Sequence, residues 1–179
     1  MDSKEPRLSK ELYCMVLARM AALRGTCVRR TVGCVLADNN HRIMATGYNG
    51  VPRDWPHCLD KPCQGVNDPQ GNSSRCLALH AEENAIDNCI SPLIVTFAYL
   101  TDSPCSSCAV AMYDKLPALR VITYAREYAD KRGLEFLSKK GSIILCHDPK
   151  VFTLSLDDMV AQYERQRLPS PSSDSKTTG

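Results

Sequence analysis

Residues 32–48 read VGCVLADNNHRIMATGY, two runs of β-forming residues around an Asp38-Asn39-Asn40 turn. Asp and Asn bond their own backbone and tolerate the left-handed region, so this triplet folds the chain back on itself. The runs 32–38 and 42–48 are therefore predicted to pair as a hairpin. Downstream, 94–100 (IVTFAYL), 119–124 (LRVITY) and 142–146 (SIILC) are short, apolar and rich in β-formers, as strands buried within a sheet are. Helical segments are predicted at 80–89, 105–115, 130–140 and 155–167. Upstream, 9–24 reads as a helix, with Ser9 as N-cap, Leu12, Val16, Met20 and Leu23 at helical spacing, and Gly25 at its end. A hairpin followed by alternating helices and strands predicts an α/β fold, a single mixed five-stranded sheet sandwiched between helices. Residues 1–167 are expected to form one domain. The stretch 168–179 (LPSPSSDSKTTG) is too poor in apolar residues to pack and is expected to be a disordered tail.

Composition narrows the function. The chain has 179 residues, 44% hydrophobic and 23% charged, with 22 basic and 20 acidic residues for a net charge of +2. That balance gives no basic field for polymeric nucleic acid or an anionic membrane. No apolar run approaches the roughly 20 residues of a spanning helix. The polar start MDSKEPRLSKEL does not read as a secretory signal, so a cytoplasmic location is expected. Ten cysteines in such a chain point to metal ligands or buried free thiols rather than disulfides.

The chemistry concentrates in His80-Ala81-Glu82 and, 25 residues after the histidine, Pro104-Cys105-Ser106-Ser107-Cys108. A helix starting after Pro104 puts Cys105 and Cys108 on one face of its first turn, where the helix N-terminus favours thiolates. His80 is the natural third ligand. Three N/S donors suit a catalytic Zn²⁺ that keeps one position for water and brings its pKa near 7. Cys-x-x-Cys with one distant His also describes structural zinc sites; the Glu two residues after the His argues for catalysis. Residues i and i+2 converge only if His80 sits at a loop-to-helix junction, which the preceding Leu77-Ala78-Leu79 allows. Glu82 would then stand beside the metal as proton shuttle.

H-x-E with P-C-x-x-C is the signature of the zinc nucleobase deaminases. The chain resembles the deoxycytidylate (dCMP) deaminases of the cytidine deaminase superfamily, of the bacterial and phage type. The likeness rests on 26–36 (TCVRRTVGCVL), 46–52 (TGYNGVP), 79–86 (LHAEENAI) and 103–109 (SPCSSCA), with a weaker run from Val121 to Tyr128. It implies hydrolysis of dCMP to dUMP and ammonia, a supply for thymidylate synthesis, with His80, Cys105 and Cys108 on zinc and Glu82 as acid/base. It also implies contacts from Asn49 to the sugar and from Tyr128 near the deoxyribose and phosphate. Asn49 equally suits a turn before Gly50, and Tyr128 an ordinary loop. Arg29 or Arg30, with Thr31, would meet the phosphate as a guanidinium fork, or form a solvated basic pair. Glu83 is read as a solvent-facing or supporting charge.

About thirty residues, rich in Pro, Gly and Asn, separate the hairpin from His80. A loop this long needs something to tie it down. Some relatives hold a second, structural zinc here, and Cys27, Cys58 and Cys76 line up with it. Ser73 stands where the family often has a histidine, so Cys63 or His57 would have to complete the site. Cys14, Cys34, Cys89 and Cys146 read as small buried hydrophobes. The resemblance further implies a homo-oligomer, a hexamer favoured, with dCTP and dTTP as effectors. Two alternatives stand beside dCMP deamination. One is a deaminase of another cytosine nucleotide or nucleoside (dCTP, deoxycytidine, 5-substituted dCMP); the other is a non-catalytic zinc-binding module.

Overall fold

The computed structural model describes residues 8–69 and 75–167; the tail from residue 168 and Ser73 lie outside them. Five strands make one sheet: β1 (Gly33–Ala37), β2 (Ile43–Tyr48), β3 (Phe97–Asp102), β4 (Val121–Arg126) and β5 (Ile144–His147), in the order β2-β1-β3-β4-β5. β1 is antiparallel to β2 and to β3, whereas β3, β4 and β5 run parallel. This is the mixed five-stranded sheet the sequence predicts. The helices are α1 (Lys10–Ala22), α2 (Ala81–Asp87), α3 (Ser106–Lys115), α4 (Arg132–Lys140), α5 (Lys150–Thr153) and α6 (Leu156–Arg167).

All five residues of β1 are buried because both faces of the sheet are covered. Alternate side chains of a strand point to opposite faces. Cys34 and Leu36 pack with Ala81 and Ala85 of α2, Met112 of α3 and Leu137 of α4. Val35 and Ala37 pack with Cys14, Met15 and Ala18 of α1 and Val151 of α5. Two glycines let helices lie directly on the sheet. A Cβ at Gly33 would collide with the Ala18 carbonyl, and one at Gly47 with the Ala81 carbonyl and the Ala85 amide.

That close approach explains a difference from expectation in α1. Ser9 caps the helix as predicted, its Oγ accepting from the Leu12 N–H at 3.1 Å. The buried face, however, is Cys14, Met15, Ala18 and Ala22, while Met20 and Leu23 are 53% and 71% exposed. Ala18 and Ala22 lie over Gly33 because the backbones meet there too closely for larger side chains. β3 starts three residues later than predicted, since Pro92 at the first position of a 3-10 turn (Pro92–Ile94) takes the start of the apolar run out of the ladder. The strand accordingly runs on to Asp102. The short helix α5 was not anticipated. Cys14 and Cys34 are fully buried; Cys89 and Cys146 are half-buried.

The insert after β2 is closed at its base by paired bonds between Gly50 and Leu79, 3.2 and 2.8 Å. Within it the buried Asp68 carboxylate receives the Arg75 guanidinium, and Arg29 donates to the Asp68 and Pro69 carbonyls at 3.1 and 3.0 Å.

Candidate active site

The N-termini of α2 and α3 converge at the carboxyl end of β3. Cys105 is the N-cap of α3 with extended backbone (φ −69°, ψ 175°), and Cys108 follows within the first turn. His80 is the N-cap of α2, also extended (φ −77°, ψ 156°). This is the loop-to-helix junction that lets His80 and Glu82 approach one point. The Glu83 carboxylate accepts the His80 N–H at 3.1 Å and so fixes that extended residue. Glu83 thus serves the backbone of the site, a capping-box role that a Glu at the third helical position signals.

His80 Nδ1 lies 3.2 Å from Cys108 Sγ and 3.4 Å from Cys105 Sγ. The three donor atoms lie within 4.8 Å of one another, the only such group among the described residues. One imidazole and two thiols are the donor set of a zinc site, and three protein ligands are the number of an open, catalytic one. The charges are arranged for a cation. The Cys108 thiol donates to Cys105 and, with His80 and Ser107, holds its pKa down at about 3 despite burial. The bond to Cys105 raises His80 to about 9. Cys108 is driven far up by the same sharing with Cys105 and by burial. Glu82 is 4% exposed, and burial lifts its carboxyl to about 7.

A pocket of about 800 Å³, counting its open mouth, lies over this group, and its lining includes His80, Glu82, Cys105, Arg29, Arg30, Asn49 and Tyr128. The structure divides the predicted contact residues. Arg29 reaches back to the insert, as described above. Arg30 meets the carboxylate of Asp102 and lies 5.1 Å over the Tyr128 ring. Tyr128 is held by its N–H on Ser103 Oγ, 2.8 Å. Thr31 is exposed and outside the lining; its carbonyl accepts from Arg126 at 3.4 Å. Asn49 is buried with both ends of its amide engaged, Oδ1 accepting from the Val32 N–H at 2.8 Å and Nδ2 donating to the Arg30 carbonyl at 2.7 Å. Its first role is to shape the strand entry on which Arg30 stands. Asp102 and Ser103 were missed from the sequence; their only signal was a polar pair closing an apolar strand just before Pro104.

The insert brings further thiols to the same pocket. Cys63 bonds both Cys58 and Cys76, and Cys27 faces Cys58 and Cys76 closely enough to raise their pKa values. Cys27 and Cys76 also line the pocket wall. His57 is exposed.

The family described as the cytidine and deoxycytidylate deaminase zinc-binding region matches residues 8–124. The chain belongs to that family. It is 34% identical over 151 residues to the deoxycytidylate deaminase of Saccharomyces cerevisiae, covering 79% of this chain and 47% of the relative. Identity to the Schizosaccharomyces pombe deoxycytidylate deaminase is 39% over 109 residues, 58% of this chain and 34% of the relative. The chain therefore spans half or less of the length of these two yeast relatives. A dCMP deaminase from the cyanophage S-TIM5, solved in complex with dCMP and dUMP, superposes with a TM-score of 0.59 at 25% identity, over 76% of this chain and 93% of its own. These matches bear out both the family likeness and the cytidine deaminase-like sheet. Family membership and the His80–Cys105–Cys108 group together support Zn²⁺ as the metal. Among the described residues no helix is long and apolar enough to cross a membrane.

Proposed function

We propose that this chain is a zinc-dependent deaminase that hydrolyses dCMP to dUMP and ammonia in the cytoplasm, feeding thymidylate synthesis. The observation that carries the reading is one pocket whose lining joins the His/Cys/Cys group and a buried carboxylate with guanidinium groups. His80, Cys105 and Cys108 would hold the metal, whose Lewis acidity supplies a water ionisable near neutral pH. Glu82, a buried carboxylate in the pocket lining beside His80, takes a proton from the attacking water and passes it to the departing amino group. Oxygen is gained at C4 of the base, the C4–N bond breaks, and ammonia leaves. Arg30, with Tyr128 beneath it, is the group suited to the 5′-phosphate. Asn49 contributes by ordering the Arg30 backbone and keeps one amide hydrogen for the sugar.

A second, structural zinc would sit among Cys27, Cys58, Cys63 and Cys76. The bonds from Cys63 to both Cys58 and Cys76 favour Cys63 over His57 as the completing ligand. Their spacing is looser than that of the catalytic group, so the ion would draw the insert together. An oligomer is supported by exposed apolar side chains at Ile90, Leu93 and Ile94.

Steady-state turnover of dCMP, dCTP, CMP and deoxycytidine, with metal counted per chain, tests the reading. dCMP should have the highest kcat/KM; a faster non-phosphorylated substrate would defeat it.

A further inference from the structure

Asp102 ends β3 two residues before Pro104, its side chain 3% exposed yet bordering the pocket. One carboxylate oxygen, Oδ1, receives the Arg30 guanidinium. The other, Oδ2, accepts from Arg126 Nη2 at 2.9 Å and from the Thr101 hydroxyl at 2.8 Å. Each guanidinium is also braced by a ring, Arg30 at 5.1 Å from the Tyr128 centroid and Arg126 at 4.4 Å from that of Phe152. A buried carboxylate with this many donors has little freedom to move, and an arginine gripped at one edge and stacked on one face has little either. Two guanidinium groups share one carboxylate, so Arg30, Asp102 and Arg126 together carry a formal charge of +1.

We propose that Asp102 is the positioning residue that turns Arg30 into a reader of the 5′-monophosphate. Its carboxylate and the Tyr128 ring hold the guanidinium in place before the nucleotide arrives, so the fork is not ordered at the expense of binding. Arg126 secures the carboxylate from the far side. This rests on the nucleotide reading above and deepens it: Asp102 acts on the phosphate end through Arg30, not on the deamination end.

Binding of dUMP and of deoxyuridine, measured by calorimetry on the zinc-loaded protein, isolates the phosphate contribution as the ratio of the two dissociation constants. Asp102→Asn is expected to lower that ratio about tenfold, the size of effect expected when a fork must be ordered on binding. Arg30→Met should lower it at least as far, and the double variant no further than Arg30→Met alone, because both changes remove one device. Additive losses, or an equal weakening of deoxyuridine, would overturn the proposal by making Asp102 a fold support only. If Asp102→Asn melts below the assay temperature, Asp102→Glu replaces it. That change keeps the charge but displaces it, and an unchanged ratio would overturn the proposal equally. A wild-type chain that prefers dUMP strongly yet does not deaminate dCMP would sink the activity and leave the phosphate seat standing. One that deaminates dCMP with a ratio insensitive to Asp102→Asn would sink this inference alone.

Discussion

Two regions of this molecule gather cysteines against one pocket, and they are built in opposite ways. His80, Cys105 and Cys108 stand at the starts of two helices packed on a five-stranded sheet, with Ala81, Ala85, Ala109 and Met112 of those helices in the core. Cys58, Cys63 and Cys76 stand outside helices and strands, in a segment tied by their own thiols, the Gly50–Leu79 bridge and the Asp68–Arg75 pair. In the first region the core fixes the donors, and a metal arrives at a geometry already made. In the second the donors sit on irregular backbone held by scattered polar ties, and a metal would make the geometry. The first should answer to mutation in chemistry, the second in order.

The largest expected effect lies in the first region. Glu82→Gln removes the proton carrier while keeping side-chain shape, and turnover of dCMP should fall by about 10²–10⁴-fold. Zinc content and melting temperature should stay near wild type, because the substitution leaves the three donors and the core alone. Retained turnover would remove Glu82 from the mechanism.

Cys63→Ser tests the second region. Metal content should fall from about two to about one per chain, and amides of residues 58–68 should exchange faster while those of β3 do not. Cys105→Ser should show the converse, lost activity with the insert's exchange unchanged. If Cys63→Ser keeps two metals, the insert ligand set is wrong. If β3 loosens with the insert, the separation of the two regions is wrong.

The contrast also governs what could be read in advance. Strands and the H-x-E and P-C-x-x-C elements were legible because period, turn chemistry and ligand spacing are local. The buried face of α1 was not, because it depends on Gly33 lying beneath Ala18, a contact between distant segments. Asn49 was marked for the ligand, yet both ends of its amide meet backbone near Arg30, since a buried amide must find partners. Asp102 was overlooked because its partner Arg30 lies 72 residues away in the chain. Cys27 and the three insert cysteines could be nominated from the sequence, but that Cys63 meets Cys58 and Cys76 while His57 is exposed is visible only in the fold.

A smaller effect sharpens the claim that the first region is preformed. Glu83→Ala strips the acceptor from the His80 N–H and should cost about 1 kcal/mol of stability, the usual value of a helix cap. Because that bond sets the backbone from which His80 and Glu82 converge, kcat/KM should fall with it, and Glu83→Gln, which can still accept, should restore most of both. A stability loss without any loss of kcat/KM would show that the imidazole is placed by the metal rather than by the helix start.

The smallest effect concerns acid. Arg75 holds the Asp68 carboxyl below its ordinary range in the folded chain. A group whose folded pKa is depressed contributes stability above its unfolded pKa, about 4, and that contribution is lost as pH falls through the folded value. Arg75 is more than half exposed, so solvent screens the pair and the contribution is modest. Protection factors of residues 58–68, corrected for the slower intrinsic exchange in acid, should therefore fall between pH 6 and pH 3 before those of β3. Thiolate protonation would release an insert metal over part of the same range, so the comparison that isolates Asp68 is with Arg75→Met. That variant lacks the guanidinium, should open more readily at pH 6, and should show a weaker additional response to acid. Equal acid responses in the two proteins would assign the opening to the cysteines alone and leave the Asp68–Arg75 pair without a part in holding the insert.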